Sequence, residues 1–129
     1  MTLLFVFAGC APNDIARATC ENVVLAIGDP WNCTVKADVV GQASSISFDT
    51  ESRNRVAQVK IALRVKKGTL RVDYNDLTGD QHLLVTPSQP ADLSMQTRMH
   101  NERRSFTLSF EPVNGKVEGL TGTVNYSTP

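Results

Sequence analysis

The sequence predicts an all-β domain in which two antiparallel sheets pack face to face, and three observations indicate it. Apolar residues recur at every second position in several short stretches, most clearly in V-K-I-A-L-R-V at 59–65, which is the period of a strand with one buried face. Turn residues interrupt these stretches about every ten residues, a spacing typical of β-sandwiches. Ser, Thr and Val are frequent, and they fit a pleated, half-buried surface better than a helical bundle.

Eight or nine short strands are predicted along the chain. They cover residues 21–27, 33–40, 43–48, 59–65, 70–74, 82–86, 93–99, 106–110 and 117–126. The segment 66–68, K-K-G, separates two alternating stretches and predicts a hairpin between them, whereas Asn75–Asp80 and Val113–Gly115 are predicted turns. This pattern, without a convincing helix, predicts an immunoglobulin-like or jelly-roll sandwich. At 129 residues, one domain is the default expectation.

The charge balance excludes a strong overall field. Lys plus Arg number 13 and Asp plus Glu also number 13, so that the formal net charge is zero. Nothing in this balance drives the chain toward nucleic acid or an anionic membrane surface, and a charged partner has to be met by a local patch. Nucleic-acid binding is not expected, because the basic residues are not interleaved with exposed aromatic residues.

The N-terminal stretch is apolar and leads to a cysteine. Residues 3–8 form a short apolar run, and Phe7-Ala8-Gly9-Cys10 resembles the lipobox of bacterial lipoproteins, although Phe7 stands where leucine is usual. The resemblance implies that residues 1–9 are a signal peptide, and that acyl chains on Cys10 hold the cleaved protein at a bilayer. The alternative is a buried first strand with an inert Cys10. The run is too short to span a membrane, which takes about 20 apolar residues.

The resemblance also divides the chain and pairs its cysteines. Residues 10–19 are expected to be a lipidated tether, and residues 20–129 the β-sandwich domain. With Cys10 taken by lipid, Cys20 and Cys33 remain as one pair, which is expected to form a disulfide in an oxidising compartment. The alternative is a pair of buried, reduced cysteines in a cytosolic protein. If the organism has two membranes, Ala11 after the lipidated cysteine implies the outer one.

A turn rich in oxygen-bearing side chains follows the central strands. Gly68–Asp80 loosely resembles a strand-turn-strand segment of pre-peptidase C-terminal domains, which are small β-sandwich modules. The candidate ligands for calcium, which prefers oxygen atoms, are Asp73, Asn75, Asp76 and Asp80. Asp and Asn also form ordinary turns, because their side chains bond to their own backbone, and we favour this interpretation. No cofactor is expected.

Basic residues dominate the stretch from 52 to 72, which contains seven Lys or Arg and no Asp or Glu. If Ile61 and Leu63 face inward, the opposite face of the predicted hairpin carries a basic stripe. Its residues are Lys60, Arg64, Lys66 and Arg71. Such a stripe can bind an acidic polysaccharide, lipid phosphates or an acidic protein surface. The alternative is a solvated sheet face whose charges protect an edge strand.

Catalysis is not expected. His82 and His100 are the two histidines, and neither has a Ser or Cys nucleophile motif around it from which a triad can be assembled. Trp31 is expected to pack on the disulfide, as in immunoglobulin-type cores, with a sugar-stacking platform as the alternative. We therefore expect a membrane-anchored, non-catalytic binding or structural module of the bacterial envelope. The alternative is an accessory module that binds an acidic polysaccharide, or an assembly subunit.

Overall fold

Every strand in the structure runs antiparallel to its neighbours. The computed structural model describes residues 14–22, 30–49, 55–99 and 105–127. The strands are β1 (Arg17–Asn22), β2 (Trp31–Val40), β3 (Ser44–Asp49), β4 (Val56–Arg64), β5 (Lys67–Asp76), β6 (Gly79–Val85), β7 (Ala91–Arg98) and β8 (Ser105–Ser127). The predicted all-β sandwich is confirmed, with eight strands and no helix in this described part of the chain.

Two layers share these strands. The front sheet has the order β1-β2-β8-β4-β7, in which β8 contributes residues 117–127. In the back sheet, residues 105–113 of β8 lie between β3 and β5, and β5 also pairs with β6. Hydrogen bonding is continuous through β8, so the two layers form one network.

β8 enters both layers because the chain reverses within it. Phe106 and Tyr126 lie near its two ends, yet their ring centroids are 5.0 Å apart. Between them, Asn114 and Gly115 have φ angles of 60° and 111°, in the left-handed region that asparagine and glycine adopt most easily. The predicted turn at Val113–Gly115 is confirmed, and one segment supplies an inner strand to each sheet.

One hydrophobic core lies between the two sheets. Its largest fully buried side chains include Phe48, Phe110, Ile61, Leu63, Leu70, Leu108 and Leu120. Phe48 of the back sheet stacks on Phe106 at 5.0 Å and meets Tyr126 of the front sheet edge-on at 5.8 Å. The hydroxyl of Thr97 on β7 donates to the carbonyl oxygen of Asn75 on β5 at 2.7 Å. Burying each large apolar side chain contributes about 1.5–3 kcal/mol, so the core is what holds the layers together.

β4 and β5 do not form the predicted hairpin. β4 pairs with β7 and β8 in the front sheet, whereas β5 pairs with β6 and β8 in the back sheet. The short connection therefore crosses from one layer to the other, and Val65 within it is buried. Period-two alternation predicts which side chains of a strand point inward. It does not tell whether two such strands lie side by side or face each other across a core.

Gly68 serves this crossing rather than a hairpin turn. It has a φ of 91°, and at this point the partner of β5 on β8 moves from Glu118 to Val113. A Cβ atom at Gly68 would lie 2.7 Å from the carbonyl oxygen of Lys116, which is too close for an ordinary contact. The shift in register therefore requires glycine at this position.

The folded domain begins earlier than predicted. The amide of Gly41 donates to the carbonyl oxygen of Asp14 at 2.8 Å, Ala16 is buried, and β1 starts at Arg17. The predicted boundary at residue 20 is therefore wrong, because the polar segment that precedes it finds a partner strand in β2, which its composition does not reveal. The predicted signal peptide, Cys10 and the first part of the tether, residues 1–13, lie outside the described residues. Within the ranges described, no helix is long and apolar enough to span a bilayer.

The predicted disulfide between Cys20 and Cys33 is confirmed. The two residues lie directly opposite each other on β1 and β2, with Cys33 buried and Cys20 exposed. Closing a loop of this length stabilises a fold by about 3 kcal/mol in the chain-entropy model. Because β1 is at the end of the front sheet and pairs with β2 alone, the bond fastens an edge strand.

Candidate functional site

The four residues of the predicted basic stripe do not lie together. Lys60 and Arg64 point outward from β4 on the front sheet, as predicted. Lys66 lies in the connection after β4, and Arg71 points outward from β5 on the back sheet, where its Nε donates to Oδ1 of Asp73 at 2.9 Å. The stripe as predicted is wrong, because it assumed a hairpin that would have placed Arg71 beside β4.

A different row of cations crosses the front sheet. Arg17 on β1 lies opposite Lys36 on β2. On the other side of β2, Lys36 lies opposite Thr121 of β8. Thr121 in turn lies opposite Arg64 of β4. Directly opposite residues of antiparallel strands point to the same side of a sheet. We call Arg17, Lys36 and Arg64 the cationic row, in which two strand spacings, or roughly 10 Å, separate Lys36 from Arg64.

The sequence prediction does not include Arg17 or Lys36. The apolar residues at 33, 35 and 37 are a signal that Lys36 points outward from its strand. Strand order is the missing information. β8 is far along the chain from β2 and β4, and only the fold places it between them.

The cationic row belongs to a broad polar surface, the front face, formed by the outward side chains of the front sheet. Its next row consists of small hydroxyl side chains, with Thr34 opposite both Thr19 and Thr123. Five Lys or Arg and three Asp or Glu give this face a net charge of +2. The charged residues are Arg17, Glu21, Lys36, Asp38, Lys60, Arg64, Asp92 and Arg98. Lys67 and Glu118 lie opposite each other at the junction of the sheets and belong to neither face.

A shallow depression lies on the front face around Lys60. Its volume is about 320 Å³, and its walls include Asn32 and Asn125 beside Lys60. An ammonium group donates to carboxylates, and amide groups both donate to and accept from hydroxyls. The depression is therefore suited to a ligand that carries both negative charge and hydroxyl groups.

Trp31 closes one end of the core. It is the first residue of β2, and its ring stacks on Tyr126 with centroids 6.2 Å apart and an interplanar angle of 11°. One ring face is thus covered, and the side chain is partly buried, so the ring contact that the structure shows is a packing contact. The indole nitrogen is buried and has no hydrogen-bond partner among the residues described.

The outward side chains of the back sheet form a second surface, the back face, which is acidic. Asp73 on β5 lies opposite His82 on β6, and Asn75 lies opposite Asp80. Four carboxylates and one guanidinium give the back face a net charge of −3 with His82 neutral. These charged residues are Asp49, Arg71, Asp73, Asp80 and Glu111.

The candidate calcium ligands are divided between the back face and a turn. Oδ1 of Asp76 accepts hydrogen bonds from the hydroxyl and the amide of Thr78, at 2.6 and 2.8 Å, and from the amide of Gly79 at 3.2 Å. The Thr78 hydroxyl first, and then these amides, hold the pKa of Asp76 below its ordinary value. Asp73 is paired with Arg71. In the described ranges, no group of three or more His, Cys, Asp or Glu side chains is placed to hold a metal ion, and the geometry is that of an ordinary turn.

Tyr126 is a structural group. Burial raises the pKa of its hydroxyl, and the charge of Asp49 raises it further. The hydroxyl donates to the carbonyl oxygen of Asp49 at 3.0 Å, so a neutral phenol links the front sheet to the end of β3. Of the two histidines, His82 is exposed on the back face, and His100 lies outside the described residues.

Comparisons with known proteins place the chain by fold alone. No protein-family model matches it, and no curated protein gives a significant match. Among solved structures, it is similar to a chain from the disulfide-linked pili of Bacillus endospore appendages, with 14% identity, a TM-score of 0.46 and coverage of 92% of this chain and 95% of that one. It is also similar to PRD1 vertex protein P5, with 7% identity, a TM-score of 0.49 and coverage of 88% of this chain and 95% of that one. A third similar structure is the CBM22-1 xylan-binding domain of Paenibacillus barcinonensis Xyn10C, with 16% identity, a TM-score of 0.42 and coverage of 88% of this chain and 84% of that one. Identities and scores this low describe a shared all-β architecture and carry no argument about function.

Proposed function

We propose that the chain is a non-catalytic binding or structural module of a bacterial cell envelope, held at the membrane by acyl chains on Cys10. The lipobox-like segment 7–10 supports the anchor, and the disulfide fits an exported protein. Asp14, whose carbonyl oxygen accepts from the amide of Gly41, lies four residues after Cys10, and four extended residues span at most about 14 Å. The domain thus stands directly at the lipid surface, on the outer membrane if the cell has two.

The front face is the proposed binding surface, and the cationic row is the observation that carries this proposal. Lys36 and Arg64 of this row, and Lys60 on the same strand as Arg64, are exposed on one side of a single sheet. None of these three forms an ion pair with another described residue. Cations spaced roughly 10 Å apart can engage successive negative groups of an extended partner. The partner that fits this surface is therefore anionic.

A second candidate function is accessory binding of an acidic polysaccharide. The depression around Lys60 favours it, because the amides of Asn32 and Asn125 border the same space and can bond to sugar hydroxyls. A uronic acid polymer carries both carboxylates and hydroxyls, and it is the probe with which this function can be tested.

Mass spectrometry of the protein isolated from bacterial membranes tests the anchor. We expect residues 1–9 to be missing and the new N-terminal Cys10 to carry acyl chains. Cys10→Ser is the control, and it is expected to stay unprocessed and to leave the membrane fraction. An intact Met1 together with an unmodified Cys10 thiol would overturn the anchor.

Titration with polygalacturonate tests the binding surface. Exposed charge pairs contribute about 0.2–1 kcal/mol each, so the double variant Lys36→Glu and Arg64→Glu is expected to bind about tenfold more weakly. The matched control is Arg55→Glu with Lys116→Glu, which reverses two exposed cations outside both faces and is expected to bind like the native chain. Equal affinity of both double variants would reject the front face as the binding surface.

A further inference from the structure

The two outer faces of this chain carry opposite charges. The front face has a net charge of +2 and the back face a net charge of −3, although the formal charge of the whole chain is zero. We propose that the anionic partner of the front face is the back face of a second copy of this chain. This inference rests on the binding role proposed above for the front face and names its partner.

The back face offers carboxylates that its own sheet does not neutralise. Arg71, the cation among the described residues of this face, is already paired with Asp73 at 2.9 Å. The side chains of Asp80 and Glu111 are exposed, and neither forms a hydrogen bond or ion pair with another described side chain, although Glu111 lies directly opposite Arg71. Unneutralised charge of one sign on a broad surface attracts a surface of the opposite sign.

Small hydroxyl side chains keep part of each face low, which allows close approach there. On the back face, the hydroxyls of Ser45 and Ser109 are 3.0 Å apart, and a second pair of hydroxyls on the same two strands is 3.1 Å apart. These short, mutually bonded side chains leave the surface low, as the threonine row does on the front face. Four strands in the back sheet and five in the front sheet, at about 4.8 Å spacing, give faces roughly 15–20 Å wide.

The contact joins two different surfaces, so each copy in a pair keeps one face free. Front-to-back contacts of this kind are heterologous, so further copies can add to the stack unless the rotation between copies closes a ring. Sheets lie about 10 Å apart in a sandwich, and a similar separation between copies gives a repeat of roughly 20 Å. Anchoring copies to one membrane raises their local concentration, which favours a contact that is weak in solution.

Sedimentation velocity of the full chain tests the proposal. The chain carries Cys10→Ser, so that no acyl chain contributes to association. We expect association that grows with protein concentration at about 0.01 M salt and disappears at about 1 M salt, because the Debye length falls from about 30 Å to about 3 Å. Association that survives high salt, as contact through the apolar leader would, contradicts the proposal. So does a chain that stays monomeric at low salt.

Charge reversal identifies the two surfaces. Lys36→Glu with Arg64→Glu changes the front face from +2 to −2, and Asp80→Lys with Glu111→Lys changes the back face from −3 to +1. Each double variant is expected to stay monomeric at low salt, because its two faces then carry charges of the same sign. An equimolar mixture of the two is expected to associate again, which also shows that both variants are folded.

The remaining outcomes separate this inference from the function on which it rests. The control Arg55→Glu with Lys116→Glu is expected to associate like the native chain; loss of association in the control would show that any two reversals suffice, and it overturns the inference. A monomeric native chain that still binds polygalacturonate through Lys36 and Arg64 leaves the binding surface standing with a polysaccharide as its partner. A monomeric chain that also fails to bind polygalacturonate through these residues overturns both proposals.

Discussion

The front and back sheets are built alike on the inside and differ on the outside. Each takes an inner strand from β8, and each turns alternate apolar side chains into one shared core. On the outside, the front sheet carries a row of cations, whereas the back sheet carries carboxylates. Packing therefore fixes one side of every strand and leaves the other side free to differ, and the proposed binding surfaces lie on those free sides.

The largest effects on stability are expected in the shared core, to which the two sheets contribute in the same way. Leu120 and Leu108 are both fully buried, on the front and back halves of β8 respectively. Leu120→Ala and Leu108→Ala are each expected to lower the free energy of unfolding by about 2–5 kcal/mol, because each leaves a cavity in the core. Urea denaturation followed by far-UV circular dichroism measures both. A shared core predicts one cooperative transition in each variant, and a two-step transition with one sheet still folded would contradict it.

The disulfide makes the sheets unequal, since it fastens β1 within the front sheet. Its reduction is expected to lower the free energy of unfolding by about 3 kcal/mol, because the unfolded chain gains conformational freedom. Denaturation with and without reductant measures the difference. The double variant Cys20→Ala and Cys33→Ala is expected to have the stability of the reduced chain and to show no change when reductant is added. An unchanged midpoint on reduction would show that β1 holds its place without the bond.

The junction between the sheets is expected to tolerate less change than an open turn. Gly68→Ala places a Cβ atom against the carbonyl oxygen of Lys116 at a positive φ, and we expect a loss of about 1–3 kcal/mol. Gly115→Ala is the matched control, because Gly115 also has a positive φ but nothing lies within 4 Å of the added atom. Thermal unfolding compares them. Equal losses would show that backbone strain alone, and not the close approach, is responsible.

The smallest effect on stability is expected from Asp76, in the turn beside the back face, and it depends on pH. The pKa of Asp76 is held below its ordinary value of 3.8, so the unfolded chain binds this proton more readily than the folded chain. Its contribution to stability is therefore present above pH 3.8 and is lost as the pH falls through the lower pKa of the folded state. Asp76→Asn is expected to reduce the pH dependence of the melting temperature in that acidic range. Identical pH dependence in both chains would contradict the assigned hydrogen bonds.

The sequence predicts the inward and outward sides of strands better than the order of the strands. The alternation at 59–65 correctly identifies Ile61 and Leu63 as buried and Lys60 and Arg64 as outward. The next alternating stretch was equally clear, but it belongs to the other layer, so Arg71 lies on the opposite side of the molecule from Arg64. Neighbouring strands are chosen by contacts between distant parts of the chain, and a local pattern carries no record of them.

For the same reason, the sequence did not predict Arg17 and Lys36 as part of the candidate binding surface. Arg17 lies in a polar segment whose composition resembles a linker, and its strand exists because β2 offers a row of hydrogen-bonding groups along its edge. The alternation of its strand predicts that Lys36 points outward. That Lys36 belongs to a row of cations depends on the position of Arg64 two strands away. Single charged residues can be assigned to a strand face from sequence, whereas a charged surface requires the topology.

The position of β8 has a consequence for how this molecule forms. Its two halves lie between β2 and β4 in one layer and between β3 and β5 in the other, so neither layer is continuous before residues 105–127 are in place. The seven described strands that precede β8 cannot complete either layer without it. Contacts between residues so distant in the chain make folding slow. The domain therefore acquires its native structure only after β8 has been synthesised, and loss of residues 117–127 removes the middle of the front layer rather than fraying an edge.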